Sequence, residues 1–240
     1  MNFAPFAFQN SAATTPVIPT SGLTLWLDAG NVASYPGTGT TWYDLSGLNN
    51  NGTLTNGAVY DSLGGGSIYF DGSNDYVAFP SVTGLPTGNT PYTIVQFFNF
   101  PTAVRRNITF FTGTFNSNKR VNAVATLNSS ESATGGFNNY WWAADYIQPT
   151  PLSDNTWYNH VATYNGSTTR QQFKNNVSIG TSASNNLNIT TNSTLTVGRG
   201  YAVGYQYTLG YISVVMYYNR QLSTTELTTI FDAYKGRYGL

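Results

Sequence analysis

The chain has 240 residues, ten basic and ten acidic side chains for a formal net charge of zero, and charged residues make up 8% of it, against about a quarter in an average soluble domain. That balance offers no electrostatic footprint for nucleic acid or an anionic membrane. The absence of cysteine excludes disulfide frameworks and thiolate metal sites. Its surface must be covered by neutral polar groups, which suits contact with neighbouring proteins or neutral glycans, and equally suits a plain extracellular β-protein.

Residues 1–20 read as an extended N-terminal arm ahead of a single domain over residues 21–240. Phe3, Phe6 and Phe8 stand close together in the arm, and each ring is worth about 1.5–3 kcal/mol if taken out of water. The arm is therefore expected to dock on a partner or a sister subunit. It contains no Lys or Arg, so the basic n-region of a secretory signal is missing, and no run in the chain approaches the roughly 18 apolar residues of a membrane span. These features lead to the expectation of a soluble protein, made in the cytoplasm and exported as part of an assembly.

The domain opens with a strand at Leu23–Asp28, whose alternation places Leu23, Leu25 and Leu27 on one face and Thr24, Trp26 and Asp28 on the other. A turn-rich connection follows to Gly47, then a hairpin signal at Asn50-Asn51-Gly52 and a breaker at Gly64-Gly65-Gly66. Strands are expected at 67–70 and 75–79 around the Asp71-Gly72 turn, then at 92–99, 107–113, 121–127 and 140–147. Trp157–Tyr164 is β-branched and aromatic and ends at the tight-turn signal Asn165-Gly166. Arg170–Asn175 follows at hairpin distance. Tyr211–Tyr218 is a nearly continuous apolar run, as in a strand buried on both faces. So many short strands at this spacing predict two packed antiparallel sheets. One helix is expected over 224–235, with Ser223 and Glu226 at capping-box spacing, Gly236 as its C-terminal cap, and a stripe of Leu227, Ile230, Phe231 and Tyr234 facing the sandwich.

Several of these segments carry a family pattern: Trp157-Tyr-Asn-His160-Val-Ala162, Tyr164-Asn-Gly166, Phe173-Lys-Asn-Asn-Val177, Leu195-Thr-Val-Gly-Arg199, Gly210-Tyr-Ile-Ser-Val-Val-Met-Tyr-Tyr-Asn-Arg-Gln-Leu222 running on to Glu226, and Phe70-Asp-Gly-Ser-Asn-Asp-Tyr-Val77. Their order resembles the laminin-G-like, concanavalin A-like jelly roll over residues 22–238. The resemblance implies an all-β, two-sheet antiparallel jelly-roll sandwich with one short C-terminal helix. Ser213 departs from it, because the family usually has Asp there. The opening Leu27-Asp-Ala-Gly-Asn31, Trp42-Tyr-Asp-Leu-Ser-Gly47 and Asn51-Gly-Thr-Leu54 is similar to that of many bacteriophage and large-virus structural proteins. This implies a non-enzymatic virion component, a decoration or fibre-associated protein, located in the virion or otherwise extracellular. Its arm would hold other virion proteins or sister subunits, and its sandwich would face neutral host-surface polysaccharide. The alternatives are a free lectin-like carbohydrate-binding module and, less favoured, a glycoside hydrolase of the same fold.

Hydrolases of this fold show Glu-x-Asp-x-x-Glu on one strand, which sets two carboxylates about 5 Å apart. The glutamates of this chain are Glu131, in a Ser/Gly-rich loop, and Glu226, the expected helix cap. No catalytic residue is assigned on this basis. The single His160 lies mid-strand and is expected to pack or hydrogen-bond within the sheet, since one His without Cys does not make a typical zinc site. Calcium is the metal candidate, with Asp71 and Asp75 as oxygen ligands beside backbone carbonyls. In the family an acid from the closing strand sometimes contributes, and Ser213 removes it here. The other reading is that Asp71 caps the turn and Asp75 starts a strand. For sugar binding the candidates are Tyr140, Trp141 and Trp142, followed by Tyr201 and Tyr205, because such rings offer an apolar face beside a polar handle. Consecutive Trp141 and Trp142 on a strand point to opposite faces, so one is expected outside the core, open to a ligand or covered by a neighbour.

Overall fold

A computed structural model describes residues 17–102, 106–114, 120–126, 136–141, 144–183, 187–190, 194–200 and 206–240. The expected arm residues Phe3, Phe6 and Phe8 lie outside them. In chain order the strands are β1 Leu23–Asp28, β2 Thr41–Trp42, β3 Gly52–Thr55, β4 Val59–Asp61, β5 Ser67–Asp71, β6 Tyr76–Ala78, β7 Tyr92–Phe100 and β8 Arg106–Gly113. They continue with β9 Arg120–Thr126, β10 Gly136–Tyr140, β11 Tyr146–Pro149, β12 Thr156–Tyr164, β13 Thr169–Lys174, β14 Val177–Ala183, β15 Thr194–Val197 and β16 Leu209–Tyr218, before helix α1 Thr224–Tyr238. Sheet I runs β14-β13-β12-β7-β16-β5-β4, with β1 also paired to β16, and sheet II runs β11-β10-β9-β8-β15-β6-β3-β2. The chain is the expected antiparallel sandwich.

Leu25, Leu27, Trp42, Phe70, Phe98, Phe110, Val197 and Ile212 fill the space between the sheets. Helix α1 closes the other face of sheet I, setting Leu227, Ile230, Tyr234 and Tyr238 onto Val95, Phe97, Val214, Met216 and Tyr218. This double cover explains why β7 and β16 are apolar on both faces. Burying each large helix side chain contributes about 1.5–3 kcal/mol. Leu23 departs from the simple alternation. A register shift between Leu23 and Leu25 turns it to the helix side, into the cluster that holds Val214 and Tyr218, while Leu25 and Leu27 stay between the sheets. Such a shift is what a bulge does to a period-2 pattern.

Strand β16 is long enough for two partners along one edge. Residues 214–218 pair with β1 and residues 209–212 pair with β5. The handover falls at Ser213, where a second register shift lies. The ends of β1 and β5 meet so closely there that a Cβ on Gly66 would stand 2.6 Å from Gly30 Cα. Glycine is required at this crossing.

The helix begins as expected. Ser223 caps it by accepting from Glu226 N–H, and the Glu226 carboxylate reaches back to Ser223. Arg220 forks both carboxylate oxygens of Glu226 at 2.9 and 2.6 Å and holds the Glu226 carboxyl down at about 2. The end differs from expectation: Gly236 is helical, and the left-handed cap is Gly239 at φ 69°. The extra turn carries Arg237, which donates to Asp28 Oδ1 at 2.6 Å, Gly64 O at 2.7 Å, Gly66 O at 2.7 Å and Ser213 Oγ at 2.8 Å. Tyr234 OH donates to the other Asp28 oxygen at 3.1 Å.

Removing one partner of a buried ion pair leaves the other uncompensated and costs about 3–5 kcal/mol. Arg237→Ala is expected to lower the urea-unfolding free energy by an amount in that range, and a loss under about 1 kcal/mol would show that this contact is dispensable.

Candidate functional site

The predicted aromatic cluster divides when it is placed in the fold. Tyr140 ends β10 and Tyr146 opens β11, where the sequence suggested one strand. Within β10, Phe137 stacks on His160 with ring centroids 4.5 Å apart, and Asn139 Oδ1 accepts from Tyr92 OH at 2.6 Å. These side chains point between the sheets. Trp141, just past β10, does the same and is fully buried. Its indole N–H donates to Tyr92 OH at 2.9 Å, its ring meets Tyr164 edge-on at 4.8 Å, and the Arg170 guanidinium lies 4.2 Å over its face. Trp141 therefore offers no exposed platform, since both its polar handle and its ring face are taken up inside the sandwich; the sequence left open which of Trp141 and Trp142 stands outside the core. Tyr140, one residue earlier and half-buried, takes the outer face of sheet II with Asn138. The Asn138 amide is buried, and neither its O nor its N has a partner among the described residues. Trp142, Tyr201 and Tyr205 lie outside the described residues.

A polar seam that the sequence did not reveal joins the two sheets beside Trp141. Arg170 and Gln172 on β13 are both buried. Arg170 Nη1 donates to Asn139 O at 2.8 Å, and Gln172 Nε2 donates to Phe137 O at 3.3 Å and Tyr146 O at 3.1 Å. Gln172 Oε1 meets His160 Nε2 at 3.0 Å. Burial, partly offset by Gln172, pushes the His160 imidazole down to about 4, so it is neutral at physiological pH. Burial also lowers the Arg170 pKa, opposed by the surrounding tyrosines and Asp145. The expected structural role of His160 agrees with this packing. Arg170-Gln171-Gln172 was hard to read from sequence because three consecutive polar residues carry no apolar alternation to mark a buried face.

The carboxylate corner lies at the β5–β6 turn. Asp75 Oδ2 accepts from Asp71 N–H at 3.0 Å, and Asp71 Oδ1 accepts from Ser73 N–H at 2.7 Å. Both contacts are turn-capping geometry. Asp75 Oδ1, however, is buried without a hydrogen-bond partner among the described residues, and burial, with the nearby Asp71 charge, raises the Asp75 pKa against the pull of the Asp71 N–H. Calcium takes six to eight oxygens. Asp71 and Asp75 would supply the charge, and carbonyls and water would have to supply the rest. Among the described residues no group of three or more His, Cys, Asp and Glu side chains gathers. Ser213 is committed elsewhere, donating to Gly66 O and accepting from Arg237 and Tyr238.

Taken together, these features define a two-sheet jelly roll with a tightly packed interior. Residues 71–228 match the family model described as the concanavalin A-like lectin/glucanases superfamily, and the chain belongs to that family. No curated protein matches it by sequence. Among solved structures, it is similar to domain 4 of the extracellular arabinanase AbnA from Geobacillus stearothermophilus in complex with arabinotriose. The TM-score is 0.67 at 14% identity, over 89% of this chain and 98% of that one. It is also similar to the binding domain of Paraclostridial Mosquitocidal Protein 1, with a TM-score of 0.66 at 14% identity over 89% of this chain and 52% of that one. A third is the Trypanosoma rangeli sialidase in complex with sialic acid, with a TM-score of 0.62 at 15% identity over 91% of this chain and 34% of that one. The chain thus spans about half of the toxin domain's length and a third of the sialidase's. At these identities the likeness is one of fold.

Truncating a buried Trp costs about 3–5 kcal/mol. Trp141→Ala is expected to destabilise the domain by that amount in denaturant unfolding. A variant of unchanged stability would contradict the buried placement.

Proposed function

We propose that the protein is a non-enzymatic carbohydrate-binding domain that recognises neutral saccharide at its outer surface. The observation that carries this reading is the correspondence with domain 4 of AbnA, a domain seen with arabinotriose, 98% of which is matched by this chain. The uncharged composition supports it, because neutral glycans need hydroxyl partners and ring faces rather than ionic ones. The non-enzymatic part rests on the carboxylates. Glycoside hydrolysis ordinarily requires a facing pair, and Glu226 is held as a helix cap by Ser223 and Arg220.

The setting we propose is a virion surface, with residues 1–20 anchoring the domain to other virion proteins or sister subunits and the sandwich facing the host glycan. This rests on the similarity of the opening segment to phage and large-virus structural proteins and on Phe3, Phe6 and Phe8. Deleting residues 2–15 is expected to release the domain from its assembly while leaving it folded. Undiminished incorporation into the assembly would remove the anchoring role.

The test of saccharide recognition is a screen of the purified protein against neutral polysaccharides and host-surface glycans, with calcium and with chelator. Specific binding that survives high salt is expected. A folded protein that binds none of them would overturn the reading in favour of a purely structural role. Calcium at Asp71 and Asp75 is proposed as an accessory. If bound, it raises stability by about 2.7 kcal/mol at a hundredfold excess over its Kd, and Asp75→Asn abolishes the gain. Equal melting temperatures in calcium and chelator would leave the pair as turn caps.

A further inference from the structure

Helix α1 covers only part of the outer face of sheet I, and the turn before β5 meets the edge of that cover at Trp157, where a Cβ on Gly64 would stand 2.4 Å from the indole. Beyond the helix end, a row of side chains crosses the strands in register. Trp157 on β12 stands opposite Asn99 on β7, Asn99 opposite Tyr211 on β16, Tyr211 opposite Tyr69 on β5, and Tyr69 opposite Val59 on β4. Directly paired residues share a sheet face, and the neighbours fix which face it is. Phe98, Phe100, Ile212, Ile68 and Phe70 fill the interior, so the residues that alternate with them point outward. Trp157 leans on Tyr238 of the helix, with ring centroids 4.6 Å apart, and the Tyr69 and Tyr211 rings lie 5.0 Å apart. Trp157, Tyr69 and Tyr211 are half-buried, and Val59 is 54% exposed.

Between these rings lies Asn99, 3% exposed, with its Oδ1 lacking any hydrogen-bond donor among the described residues. A buried carbonyl oxygen without a donor is costly, and a hydroxyl donor admitted between the flanking rings would relieve that cost. Rings on both sides of one acceptor describe what a saccharide needs, because a sugar presents an apolar face to an aromatic ring and hydroxyl donors at its edge. Trp157 and Tyr69 are three strand spacings apart, about 14 Å at ~4.8 Å per step, which suits a short oligosaccharide laid across the strands. Asp61 acts electrostatically on Tyr211, and the Arg237 guanidinium, which lies over the Tyr238 ring that Trp157 leans on, is already engaged by Asp28, Gly64, Gly66 and Ser213. The field therefore favours a neutral ligand over an anionic one.

We propose that the row Trp157, Asn99, Tyr211 and Tyr69 is a binding platform for a neutral oligosaccharide, with Asn99 Oδ1 accepting from a sugar hydroxyl and the flanking rings stacking on the sugar. This rests on the carbohydrate-binding reading above and gives it a location that the cluster at Tyr140–Trp142 does not.

The test is isothermal titration of the full chain with arabinotriose, maltotriose and cellotriose, and with sialyllactose as an anionic counter-probe. The variants are Tyr211→Ala, Tyr69→Ala and Asn99→Ala, with Tyr43→Ala as a control at an exposed ring outside the row. Melting temperatures establish that each variant is folded. If Asn99→Ala fails to fold, the two Tyr variants decide the question. The expected result is binding of a neutral trisaccharide by the wild type, weakened at least about tenfold by each row variant and unchanged by Tyr43→Ala, with sialyllactose weaker than the neutral probes. A neutral trisaccharide bound equally well by wild type and row variants would overturn the platform and leave the carbohydrate-binding reading standing. A wild type that binds no saccharide, here or in the wider screen, would overturn both.

Discussion

The Arg237 guanidinium ties three separate parts of the chain to the end of the helix. It meets Asp28 at the end of β1, Gly64 and Gly66 in the turn before β5, and Ser213 in the middle of β16. Those segments come together because β16 passes its edge from β1 to β5 at Ser213, where the break in the ladder would leave carbonyls without donors. Arg237 supplies the donors, and Asp28 balances its charge. The same contact fixes the helix. Once Arg237 is held, Tyr234 reaches Asp28 and Trp26, and Tyr238 is set against Phe97 and Trp157. Where the helix stops is therefore decided by this ion pair, and so is the part of sheet I that stays uncovered.

The interior is sealed by a second set of polar contacts. Arg170 and Gln172 span from sheet I to the backbone of β10 and β11, and Trp141 and Tyr92 complete the packing around them. Bonds between sheets fix their spacing, and under the proposed function recognition falls to the outer faces. For a binding domain this is a useful division. A rigid sandwich loses little freedom when a ligand settles on it, so a few rings and one amide acceptor can suffice.

Much of this was legible in the sequence, because local chemistry determines it. The Tyr211–Tyr218 run announced a strand buried on both faces, Ser223 and Glu226 announced the helix start, and Asn165-Gly166 announced a tight turn. In the last, Asn165 Oδ1 collects the N–H groups of Ser167, Thr168 and Thr169. What was not legible depends on long-range register. Leu23 changes sides through a bulge. Gly236 passes for a cap because the true one at Gly239 follows an Arg and a Tyr needed 24 and 25 residues from Ser213. That Trp141 is the inward ring was not legible because Arg170, which covers it, is a charged residue 29 positions away in a polar-looking strand. Likewise, Trp157, Asn99, Tyr211 and Tyr69 are scattered through the chain and become neighbours only when four strands are aligned.

The most direct test of this account follows the indole N–H resonance of Trp157 by heteronuclear NMR while a neutral oligosaccharide is titrated, alongside those of Trp26, Trp42 and Trp141 as internal references. Binding at the row shifts the Trp157 signal along the isotherm while the buried indoles of Trp42 and Trp141 stay in place. Saturable binding that leaves Trp157 unmoved would contradict it and put the saccharide on another face of the sandwich.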